Sequence, residues 1–173
     1  KQALHGEGDP VALPIPPGLF SFNDIKGPSF DPEKAKQNLD DTGWKVGEDG
    51  IREKDGKKLE LTITTTDWPE YVQTANLLQA QWKEIGMKVN ITSLGTGIIK
   101  QTVVAPRDYE ILLYGENLSA DPDPYPFWHS TQIKSPGLNL SLLQDKEIDK
   151  LLEDARTSID NEKRRELLHK FTE

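Results

Sequence analysis

Ten residues, Asp121-Pro-Asp-Pro-Tyr-Pro-Phe-Trp-His-Ser130, bring together two carboxylates, three aromatic rings, three prolines and an imidazole. Acid beside rings is the chemistry of cation recognition, because a carboxylate pairs with an ammonium and a ring face attracts it. Proline fixes φ and withdraws a backbone donor, and each residue before a proline is pushed towards extended geometry. Pro122, Pro124 and Pro126 therefore predict a stiff, shaped loop instead of a helix or strand. Such a loop can present Asp121, Asp123, Tyr125 and Trp128 to a ligand. It can equally turn Phe127 and Trp128 inward to fill the space beneath it.

Other chemistry is harder to assemble. The chain has no Cys, no Gly-x-Ser-x-Gly elbow and three histidines, so a nucleophile would have to centre on His129 with Ser130 beside it. Sequence neighbours on an extended segment point to opposite faces, which argues against a dyad. Paired carboxylates among Asp121, Asp123 and Glu116 would suit glycoside hydrolysis if held about 5 to 9 Å apart, leaving a hydrolytic domain as an alternative. Asp121, Asp123 and His129 are hard-oxygen and imidazole ligands but lack the spacing and glycine of a calcium loop, so no metal and no cofactor is expected. Gly95-Thr-Gly97 follows a strand like a phosphate cradle, yet without a lysine it reads as a tight turn. Asn90, Asn117 and Asn139 begin glycosylation triplets of a kind that arises often by chance.

Twenty-nine acids against twenty-one Lys and Arg give a net charge of -8, which argues against nucleic acid as a partner and fits a monomer that repels its own copies. No apolar run approaches the roughly 20 residues needed to cross a bilayer, and the first residues lack the pattern of a signal peptide. At 173 residues one domain is the default. Lys1-Gln-Ala-Leu reads as the tail of a helix, and the pattern from Asn161 to Glu173 has no stop signal, so the chain reads as an excised piece of a larger protein.

The elements that must position the loop are legible in the spacing. Residues 1–29, rich in Pro and Gly, read as a connector. Asp31 caps a thin surface helix that begins at Pro32 and stops at Gly43. Trp44 to Lys54 forms a hairpin-like flap leading into a half-buried strand from Leu59 to Thr65. Apolar residues at Val72, Ala75, Leu78, Trp82 and Ile85 define a helix from Pro69 to Ile85, with Asp67 as its cap and Gly86 as its stop. A second alternating strand from Met87 to Ser93 completes a βαβ unit with a parallel pair. Ile98 to Val104 is a short helical segment ending near Pro106, and Tyr109 to Tyr114 reads as a buried strand whose carboxyl end leads into the loop. Ligands of open α/β sheets collect at the carboxyl ends of strands. Helices at Lys146 to Arg156 and from Asp160 onward close the chain.

The order of these motifs resembles the C-terminal lobe of the family 5 extracellular solute-binding proteins, the peptide-binding receptors of bacterial ABC importers. The resemblance rests on Gly8-Asp-Pro-Val-Ala-Leu-Pro-Ile-Pro-Pro17, Phe30-Asp-Pro-Glu-Lys-Ala-Lys36, Thr42-Gly-Trp44 and Asp49-Gly-Ile-Arg-Glu-Lys-Asp-Gly-Lys-Lys-Leu59. It continues through Trp82-Lys-Glu-Ile-Gly-Met-Lys-Val89, Tyr109-Glu-Ile-Leu-Leu-Tyr114, Asp121-Pro-Asp-Pro124 and Glu147-Ile-Asp-Lys-Leu-Leu-Glu-Asp-Ala-Arg156. It implies an α/β fold with a mixed sheet and flanking helices, residues 30–173 forming one lobe of a type II periplasmic-binding-protein-like clamshell. It further implies noncovalent binding of an oligopeptide, or in some members a nickel chelate or a sugar. The partners would be a missing N-terminal lobe and an ABC-transporter permease, and the location the extracellular face of the membrane or the periplasm, in lipid-anchored or secreted form. In such receptors an acid after the strand matching Tyr109–Tyr114 meets the peptide amine. The position that usually carries it is Leu118 or Ala120 here, which leaves Asp121 first, Asp123 second and Glu116 third, with Asn117 beside them.

Overall fold

The computed structural model describes residues 3–4, 6–9, 11, 13–15, 22, 25–27, 29–118 and 123–173. It confirms the α/β class, with parallel and antiparallel pairing kept in two separate three-stranded sheets. The chain forms two compact units. The first comprises Lys1–Gly8, Ser29–Val104 and Asp108–Gly115, the second Asp9–Pro28, Ala105–Arg107 and Glu116–Glu173.

The first unit opens on helix α1, Pro32–Asp41, where Asp31 accepts a hydrogen bond from the Lys34 amide and Pro32 occupies the first turn. No α1 residue is buried, as its thin apolar stripe predicts. The flap is an antiparallel sheet of β1 (Lys45–Val46), β2 (Arg52–Lys54) and β3 (Lys57–Lys58). Its anchor is Arg52, a buried guanidinium that donates to the Ile85 and Trp44 carbonyls and pairs with Asp40 at 2.8 Å. Hydrogen bonding to Arg52 in turn holds the Asp40 carboxyl below its usual range. Gly86, at φ +85°, stops the following helix, and a Cβ there would lie 2.8 Å from the Arg52 side chain.

Strand β4 (Glu60–Thr66) lies at the centre of the second, parallel sheet, with β5 (Lys88–Leu94) on one side and β6 (Ile111–Leu113) on the other. Its register pairs Ile63 with Ile91 and with Ile111. Helix α2, Pro69–Glu84, crosses between β4 and β5 and packs Ala75, Leu78 and Trp82 against Ile63 and Val89. Full burial of a side chain such as Ile63 contributes about 1.5 to 3 kcal/mol. Two expectations change here. The last four residues of β4 are all buried, so the strand is only half-exposed over its first part. Instead of a buried strand from Tyr109 to Tyr114, β6 is a three-residue, half-buried edge, because one side of it has no neighbour strand among the described residues. After β5 the chain turns at Gly95 into α3 (Thr96–Ile99), which continues as a π-helical turn through Val104.

The second unit is helical. A single turn α4 (Tyr125–Trp128) and a 3₁₀ turn (Ser130–Gln132) precede α5 (Lys146–Thr157) and α6 (Asn161–Thr172). Asp145 and Asp160 cap the two long helices through their side chains. Leu152, Ala155, Leu168 and Phe171 form the core, which also takes in Ile15 and Phe22.

Candidate functional site

In the first unit, the carboxyl ends of β4 and β5 stop together, Thr66 opposite Leu94, and Asp67 extends the pairing by donating its amide to the Leu94 carbonyl at 3.0 Å. Asp67 is therefore not the cap of α2, as its residue type predicts. Pro69 takes the first helical position and leaves Trp68 at the cap, with no side-chain capping bond. Gly95, which begins α3, also provides no side-chain cap. Thr66 is 5 % exposed, and its hydroxyl has no hydrogen-bond partner among the described residues. Trp68 is 56 % exposed and meets Tyr71 edge-on at 6.3 Å, and Ile98 stands exposed at the start of α3. Gly115 lies directly against the Tyr71 hydroxyl, closer than any Cβ could come. A cleft of about 470 Å³ opens beside the first turn of α2, walled by Leu4, Glu7, Pro69 and Glu70.

This edge offers exposed apolar surface and a carboxylate within a few residues of a buried, unpaired hydroxyl. It suits a ligand that is polar along its spine and apolar in its branches. Sequence reasoning passed over it. Thr66 ends a run of three threonines that reads only as strand propensity, and Trp68 falls between that strand and the helix that begins at Pro69, where no period marks it.

In the second unit the acid and aromatic tract departs from a plain loop. Tyr125–Trp128 is a helical turn, with Pro124 at its cap and Pro126 in its first turn. Proline is tolerated there because first-turn amides have no helical partner to lose. Asp121 lies outside the described residues. Asp123 accepts from the Tyr125 amide at 3.3 Å and pairs with Arg156 Nε at 3.2 Å. Tyr125 stacks on His129 with ring centroids 4.1 Å apart and carries the Arg156 guanidinium 4.5 Å from its centroid. Two groups that close to one centroid cannot share a face, so both faces of the ring are covered. Trp128 packs edge-on against Phe171 at 6.0 Å, within the core. Glu116 and Asn117 are both exposed, and partial desolvation raises the Glu116 carboxyl above its usual pKa.

His129 and Ser130 form no dyad, as their adjacency implies. The Ser130 hydroxyl donates instead to Asp149 Oδ2 at 2.5 Å, and the Ser130 amide to Asp149 Oδ1 at 2.8 Å. His129 is 3 % exposed, and its Nδ1 accepts from the Thr131 amide at 3.1 Å. Its Nε2 lies 3.4 Å from Glu153 and 3.7 Å from Asp149, without a hydrogen bond. Asn139, reached by the sequence only as a chance glycosylation triplet, is fully buried. Its amide donates to the Trp128, His129 and Leu143 carbonyls. Asn139 and Asp149 thus hold the tract from behind.

A parallel βαβ sheet and a helical unit carrying a braced acid and aromatic turn are the elements of a solute-receptor fold of the α/β class. The chain belongs to the bacterial extracellular solute-binding proteins of family 5, whose middle-region model matches residues 1–137. Among curated relatives it is 35 % identical over 165 residues to the oligopeptide-binding protein AppA of Bacillus subtilis, across 92 % of this chain and 30 % of that protein. The solved structure of that AppA in complex with a nonapeptide superposes with a TM-score of 0.90 at 32 % identity, covering 99 % of this chain and 35 % of AppA. NikZ from Campylobacter jejuni, in complex with Ni(L-His), gives a TM-score of 0.76 at 29 % identity over 85 % of this chain and 30 % of its own. The chain thus spans about a third of the length of these relatives.

Proposed function

We infer that this chain forms one wall of an oligopeptide-binding cleft in a receptor that delivers its ligand to an ABC-transporter permease outside the cell membrane. Binding is noncovalent. A peptide has the chemistry the strand-end edge is suited to, since its backbone donates and accepts hydrogen bonds while its side chains bring apolar area. The likeness to AppA supports the reading at the level of the whole receptor. The observation that carries it for this chain is the Thr66 hydroxyl, buried at the end of the central strand with no partner among the described residues, near an exposed Trp68. A buried polar group with no partner costs free energy unless a ligand supplies one. Asp123 and Glu116, with Asp121 and Asn117, are the proposed contacts of the second unit to the ligand's amine and backbone. Tyr125 and Trp128 are their aromatic neighbours.

The test separates binding from folding. In the full-length receptor, Thr66→Val should weaken a nonapeptide by about tenfold, the worth of one hydrogen bond, while leaving the melting temperature equal or higher. Trp68→Ala should weaken the same peptide by a similar factor with no loss of stability, because its ring is mostly outside the core. Unchanged calorimetric affinity in both variants would remove the strand-end edge from the ligand site.

A further inference from the structure

Asp123, Tyr125 and Arg156 compose a complete cation site that is already filled by the chain itself. The carboxylate lies 3.2 Å from Arg156 Nε and the ring centroid 4.5 Å from the guanidinium carbon. We propose that Arg156 is a built-in competitor, occupying the place of a ligand's cationic group and leaving it when such a ligand arrives. The proposal rests on the reading that Asp123 and Tyr125 face the ligand, and adds to it a residue that sets selectivity.

The manner of its holding argues for exchange. The Arg156 side chain is 51 % exposed and that of Asp123 35 % exposed, so water screens their pair. Beyond Asp123 and the Tyr125 ring, Arg156 has no partner among the described residues, whereas a guanidinium locked for structural reasons uses several of its five donors, as Arg52 does here. An exposed ion pair and an exposed cation–π contact together hold the group by about thirtyfold at most. Arg156 also lies in the last turn of α5, where the negative end of the helix dipole still favours it once it swings clear. The vacated site would keep its shape. Tyr125 remains stacked on His129, and Asp123 remains tied to the Tyr125 amide. A ligand with an ammonium or guanidinium group meets a preformed carboxylate and ring, but must first displace Arg156, while a neutral ligand gains nothing there.

The experiment is calorimetry on the full-length receptor with trilysine and with trilysine acetylated on every amine, across Arg156→Gln, Arg156→Lys and Asp123→Asn. Arg156→Gln should tighten trilysine about three- to tenfold and leave the acetylated peptide unchanged, whereas Arg156→Lys, which keeps a competing cation, should stay near wild type. Asp123→Asn should weaken trilysine in either background. If Asp123→Asn weakens trilysine but Arg156→Gln fails to tighten it, the competitor role is overturned and the reading of Asp123 stands. If Asp123→Asn has no effect, or trilysine binds no variant, both fall.

Discussion

Asp149 shows how one side chain sets the posture of a whole tract. Burial pushes its carboxyl up, but hydrogen bonds from the Ser130 hydroxyl and amide, helped by nearby His129, more than offset this and hold it below the usual carboxylate range. A carboxyl lowered by folding stabilises the native state above its unfolded pKa of about 3.9, and that contribution is lost as pH falls through the folded value. Asp149→Ala should therefore cost about 1 to 3 kcal/mol at pH 7, because it leaves the Ser130 donors without an acceptor. Urea unfolding of variant and wild type at pH 7 and pH 3 checks the sign, since the gap between them must narrow in acid. A gap equally wide at pH 3 would mean that the charge on Asp149 is irrelevant. At this scale the sequence was partly legible. The caps Asp31 and Asp160 fall where residue type and spacing put them. Asp149 and Asn139 were not legible as braces, because their partners lie 10 to 19 residues away in the chain and no periodicity marks them.

At the scale of elements, most helices and strands followed their periods, and the departures at α2 and at the acid and aromatic tract share a cause in proline. Pro69 fits the first helical position, which makes the residue before it the cap against the stronger capping preference of Asp67. The prolines of the acid and aromatic tract argue against a helix, yet a four-residue turn is all first turn and loses little to them. The carboxyl end of β6 carries the sharpest packing constraint of this sheet. Gly115 sits where a Cβ would collide with the Tyr71 hydroxyl, and Tyr71 lies in the first turn of α2 beside Trp68. Gly115→Ala should cost about 1 to 3 kcal/mol through forced displacement of Tyr71. Tyr71→Phe removes the obstructing oxygen, so the double variant should recover most of that loss. A double-mutant cycle on melting data gives the coupling directly, and additive effects would refute the contact.

For the whole molecule, the family and the α/β class were legible because motif order survives where single motifs are weak. The pairing of Ile15 and Phe22 with the helices of the second unit was not legible, since isolated apolar residues among prolines carry no period. The chain spans about 30 % of the length of AppA, so on the proposed reading it supplies one wall of a cleft without the other. Two charges 4 Å apart attract by about 1 kcal/mol in water but about 4 kcal/mol where the effective dielectric constant falls to 20. A ligand laid on an open wall stays in the first regime, while its loss of translational and rotational freedom is undiminished. Residues 1 to 173 by themselves should then bind a nonapeptide no more tightly than about millimolar, however well Thr66, Trp68 and Asp123 are placed. Calorimetry on this chain beside the full-length receptor makes the comparison, and micromolar affinity from the chain alone would show that its own surface already excludes the water that a second wall is argued to remove.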